Sequence, residues 1–131
     1  MIKVLATAAT AATDRPAVLR LVLLAWLAVV GLTVYVSLAP GMGATSAYHI
    51  DKLLHLGAYL ALGALPALVL PRPAWSLLAA VFLVAVGIGL ELGQGFVVGR
   101  VASLQDAAAN ALGAALGVAI ALQLRQRLQP R

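Results

Sequence analysis

Four apolar runs, each about twenty residues long, fill most of this chain and are separated by short breaks. As a helix, a run of that length crosses a hydrocarbon core of about 30 Å. We read the runs as spans over residues 18–39, 51–70, 74–98 and 104–124. A poorly ordered tail is expected at 1–17 and a basic tail at 125–131. Composition excludes a soluble helical domain, because a chain that is 63% hydrophobic and 10% charged cannot cover a water-facing surface. The expected fold class is all-α, a polytopic membrane protein built as a four-transmembrane-helix bundle.

The breaks set the topology. Pro71, Arg72 and Pro73 make a turn so short that the second and third spans must be antiparallel neighbours. The first run is longer than the 7–15 residues of a signal-peptide core, so it reads as an anchor in preference to a cleaved leader. If the N-terminus is cytoplasmic, Lys3, Arg15, Arg20, Arg72, Arg125, Arg127 and Arg131 lie inside, and Lys52 and Arg100 outside. That imbalance across short loops predicts both termini on the cytoplasmic side of the cell membrane. The net charge of +5 carries no nucleic-acid signal, because the basic residues sit at the ends of apolar runs and form no patch. With no cysteine there is no disulfide and no thiolate metal site.

Against this background the polar residues stand out. Of four acidic residues, Glu91 and Asp106 fall in one stretch with Gln94, Arg100 and Asn110, and Asp51 opens the second span. Asp51, His55 and Tyr59 repeat every four residues, so they share one helix face; Glu91 and Gln94 share another, and Asp106 and Asn110 a third. The topology sends all three faces to the extracytoplasmic end. With the third span running to residue 98, Glu91 is expected about 10 Å below its end. A charge there costs about 2.5–3.5 kcal/mol on insertion scales, so Glu91 should face the bundle interior. Structural roles compete with functional ones: Glu91 with Arg100, and Asp106 with Lys52 or His55, would pin helix ends, and Ser103 would cap the fourth helix with Asp106 in its first turn. His55 with Asp51, Glu91 and Asp106 has residue types that bind divalent cations. One histidine without tight ligand spacing is no zinc signature, however, and neither a metal nor a cofactor is assigned. Gly89-x-x-x-Gly93 and Gly113-x-x-x-Gly117 predict close backbone contacts within the bundle first, and a homo-oligomer face second.

The order Asp51-Lys52-x-x-His55-x-x-x-Tyr59-x-x-Leu62-Gly63, Glu91-x-x-Gln94, Gly99-Arg100 and Asp106-x-x-x-Asn110-x-x-Gly113-x-x-x-Gly117 resembles the VanZ-like family of small bacterial membrane proteins, over roughly residues 48–122. The chain departs from the family pattern between Gln94 and Arg100, where Gly95, Phe96, Val97, Val98 and Gly99 replace a larger aromatic or a proline. The resemblance implies a helical membrane protein of the bacterial inner membrane. Through the family's founding member, it also implies a link to teicoplanin resistance.

Two functions are therefore expected of the same residues. In the first, Asp51, His55, Glu91 and Asp106 are catalytic and handle protons, while Lys52, Tyr59, Gln94, Arg100 and Asn110 bind a membrane lipid or a lipid-linked cell-envelope headgroup. In the second, they form a structural clasp in a non-enzymatic envelope protein that works through membrane partners. An enzyme and a binding protein both fit at this point.

Overall fold

Helices are the one open structure that satisfies every backbone polar group inside a membrane, and this chain has no other regular element among its described residues. The computed structural model describes the backbone of residues 2–40 and 48–128, and side chains for 16–40 and 52–128. Four helices follow in order: α1 (Ile2–Leu38), α2 (Tyr48–Val69), α3 (Pro73–Gln94) and α4 (Leu104–Leu128). Each contains a stretch long and apolar enough to cross a membrane, over Pro16–Leu38, Lys52–Val69, Pro73–Gln94 and Leu104–Leu128. Large side chains such as Leu21, Leu24, Leu53, Val81 and Leu92 point outward, where lipid would cover them.

Helix boundaries differ from expectation by four residues or more at three places. The backbone is helical from Ile2, so the expected N-terminal tail continues α1; its alanine-rich composition favours helix, and Pro16 lies inside it. The third helix ends at Gln94, four residues before the expected boundary, and a series of tight turns carries the chain to Arg100. Gly99 closes that series with φ 82, a left-handed conformation open to glycine at little cost. The fourth helix runs on through Arg125 and Arg127 to Leu128, because charged residues end an apolar span without ending a helix.

The bundle is built on the α2–α4 pair. Gly113 packs against the Leu56 carbonyl and Gly117 against the Leu60 carbonyl, while a Cβ at Gly63 would lie 2.5 Å from the Ala114 oxygen. Small residues thus replace a side-chain layer, which is how helices associate where lipid removes the hydrophobic drive. Gly89, by contrast, has nothing within 4 Å of where its Cβ would sit, and a Cβ at Gly93 would lie 3.1 Å from the Leu38 side chain of α1, so this motif contributes one side-chain contact and no close backbone approach. Helix α3 enters straight from the Pro71–Pro73 turn as the expected neighbour of α2. Helix α1 packs on α2 and α3 and, among the described residues, not on α4. Trp26 fastens it there by donating its indole N–H to the Leu62 carbonyl at 2.8 Å and lying 6.2 Å from the Phe82 ring. Trp26, Val30, Tyr59, Leu62, Leu83 and Ala114 form the main apolar core.

Candidate functional site

Where α2 begins, α3 ends and α4 begins, the polar residues converge. Helix α4 is started by Ser103, whose hydroxyl accepts from the Asp106 N–H at 3.2 Å, as the sequence predicts for an N-cap. In a capping box the side chain at the third helical position would return to the cap residue's own N–H. Asp106 holds that position, yet its carboxylate turns away to Lys52 at 2.8 Å. Glu91 of α3 takes over, accepting from Ser103 N–H at 3.0 Å. The cap of one helix is therefore completed by the preceding one, and Asp106 is released to hold α2.

Burial explains why these residues need partners. Glu91, Gln94, Asp106 and Asn110 are all buried, with Asn110 1% exposed. Asn110 Oδ1 lies 3.0 Å from His55 Nδ1, which ties α4 to α2 one turn further in than the Lys52–Asp106 pair. Because α3 stops at Gln94, Glu91 sits roughly 4–5 Å below the helix end, less than half the expected depth. Two residues reach across to α1. Gln94 donates to the Ser37 carbonyl at 3.2 Å and Arg100 to the Val36 carbonyl at 3.0 Å. Both carbonyls belong to the last turn of α1, where the helix itself supplies no donor.

These contacts border a cavity of about 400 Å³. Its apolar wall includes Val29, Leu32 and Val36 of α1 and Leu54 of α2; its polar wall includes His55, Tyr59, Glu91, Arg100 and Asn110. The volume falls in the range of small-molecule sites. Two donors are unsatisfied there among the described residues, the Tyr59 hydroxyl and Arg100 Nε. His55, Glu91 and Asp106, from three different helices, bring one potential ligand atom each to within 4.8 Å of one another.

Most of the residues anticipated from sequence meet at this end: Lys52, His55, Tyr59, Glu91, Arg100, Asp106 and Asn110 bond to one another or border the cavity. Gln94 lies beside the group and serves α1. The side chain of Asp51 lies outside the described residues. Sequence reasoning missed Ser103 N–H as the partner of Glu91, and it missed the contribution of α1. Both are backbone functions, which residue types do not reveal.

No curated protein and no solved structure matches the chain. The family model described as VanZ/LLP1 matches residues 5–125, a range that includes every member of the cluster. Together with the four membrane-length helices, that match makes this a multi-pass membrane protein belonging to the VanZ/LLP1 family.

Proposed function

We propose that the cluster is a binding site for the anionic headgroup of a lipid or lipid-linked cell-envelope precursor, reached from the extracytoplasmic face of the bacterial inner membrane. The observation that carries this reading is the divided cavity: an apolar wall from α1 suits an acyl or prenyl chain, and Arg100 borders it with a buried Nε–H that has no acceptor among the described residues. A phosphate or carboxylate oxygen would satisfy that donor, and arginine favours such partners. Lys52 adds positive charge nearby, and Asp51, His55 and Glu91 are the groups able to exchange protons with a bound headgroup. The excess of basic residues in the termini and the α2–α3 turn supports that side of the membrane, with both termini inside. Were the headgroup that of a cell-wall precursor, its capture would alter glycopeptide susceptibility, in keeping with the teicoplanin link of the founding member.

One observation favours the clasp as a second reading: the Lys52–Asp106 and Ser103–Glu91 bonds each join two chain segments at the helix ends. Native mass spectrometry of the purified protein separates the two. The expected result is a co-purifying anionic lipid on the parent chain that is lost in Arg100→Ala while the protein still accumulates and keeps its melting temperature. Bare protein in both cases removes the headgroup reading, and loss of stability in step with loss of lipid favours the clasp.

A further inference from the structure

We propose that His55, Glu91 and Asp106 form a binding site for a divalent first-row transition-metal cation, with zinc as the best fit. Their donor atoms come from α2, α3 and α4 and lie within 4.8 Å of one another. Bonds of about 2.0–2.2 Å to one ion place neighbouring donors roughly 3–3.5 Å apart, so side-chain rotations of about an ångström close the set. Two carboxylates balance the charge of a divalent ion. The imidazole favours a transition metal over magnesium or calcium, which prefer oxygen ligands throughout.

Each ligand is already oriented by a neighbour. Asn110 Oδ1 can only accept, so the 3.0 Å contact assigns the proton to His55 Nδ1 and fixes the tautomer of the ring. Lys52 engages one oxygen of Asp106, and Ser103 N–H engages one oxygen of Glu91. Outer partners of this kind hold ligands in place and tune a metal's affinity.

Tyr59 supplies the independent observation. It is 2% exposed, borders the cavity with His55 and Glu91, and its hydroxyl has no hydrogen-bond partner among the described residues. A buried hydroxyl in that condition is destabilising unless something fills the place beside it. A water or ligand oxygen on the ion would accept its hydrogen bond, and three protein ligands leave a coordination position for that oxygen. Gly87 keeps the space, since a Cβ there would lie 3.2 Å from the Tyr59 hydroxyl and 3.1 Å from Asn110 Cβ.

The cation site goes beyond the headgroup reading, and either can fail alone because metal binding is measured without lipid. The test uses tag-free, full-length protein in detergent, stripped with EDTA, dialysed against zinc and assayed by inductively coupled plasma mass spectrometry. The parent chain is expected to retain about one zinc per chain and to melt at a higher temperature with zinc than with equimolar magnesium. Glu91→Gln and Asp106→Asn preserve shape, and each should weaken zinc binding by at least about tenfold, as should His55→Ala. Tyr59→Phe should weaken it less while leaving the EDTA-stripped melting temperature near that of the parent. Substoichiometric zinc on the parent chain overturns the proposal. Equal retention by the parent and the variants identifies an adventitious ion only and overturns it too. If His55→Ala does not fold, the two isosteric variants decide.

Discussion

At one end of the α2–α4 pair, Arg125 donates to the carbonyls of Ala67 at 2.9 Å and Leu70 at 2.6 Å; at the other, Lys52, His55, Asp106 and Asn110 meet side chain to side chain. Both ends face the same requirement, since the first and last turns of a helix leave backbone groups without partners. The Arg125 end meets it with one long side chain that caps the C-terminus of α2. The opposite end carries more charge than capping needs. Ser103 and Glu91 already complete the start of α4, yet Lys52 and Asp106 pair with each other, and His55, Asn110 and Tyr59 border a cavity. A polar group that satisfies backbone is explained by the fold; one that satisfies only another side chain, or nothing, asks for a ligand. That difference separates a structural end from a candidate site within one pair of helices.

The contrast is open to direct attack. The largest effect should come from Lys52→Met, which leaves the Asp106 carboxylate buried without its cation; we expect a loss of about 3 kcal/mol in thermal or denaturant unfolding in detergent. Adding Asp106→Asn to that variant should restore most of the stability. A restored double variant that still fails to retain lipid would mark the pair as part of the site. Next in size, Arg125→Met should cost about 2 kcal/mol through its lost charge-assisted hydrogen bonds, with lipid retained per folded molecule unchanged. A binding defect in that variant would erase the distinction between the ends. Glu91→Gln should cost about 1 kcal/mol, because the amide oxygen still accepts from Ser103, and the anionic lipid should still be retained, since the change removes a negative charge from beside its headgroup. Smallest of all, Tyr59→Phe should stay within about 0.5 kcal/mol of the parent, since the hydroxyl it removes has no hydrogen bond among the described residues to lose.

Much of this was legible in the residues, and the exceptions have a common cause. The four helices follow from length and apolarity, and the Pro71–Pro73 turn from its prolines. The end of α3 was misjudged because Phe96, Val97 and Val98 are as apolar as the helix before them. Hydropathy cannot tell an apolar loop from a span, and what ends α3 is a series of backbone turns ending at Gly99. Likewise, Gly89–Gly93 and Gly113–Gly117 are the same motif on paper; only the approach of α2 gives the second its role. At the site, Glu91, Asp106 and Asn110 were conspicuous because polar residues are rare here, and the Lys52–Asp106 pair was among those anticipated. The bond from Ser103 N–H to Glu91 and those from Gln94 and Arg100 to α1 were invisible, because every residue has a backbone and none advertises which one will be used.

The cap that Glu91 lends to Ser103 also bears on how the chain enters the membrane. Glu91 is expensive to bring into hydrocarbon, and its partner lies twelve residues further on, within the same pair of helices. Helices α3 and α4 can therefore form a hairpin that gives one oxygen of its own most difficult residue a hydrogen bond without help from α2. Asp106 has no such local remedy. It must wait for Lys52, fifty-four residues upstream, so the meeting of α2 with that hairpin is the step at which assembly of the site is completed.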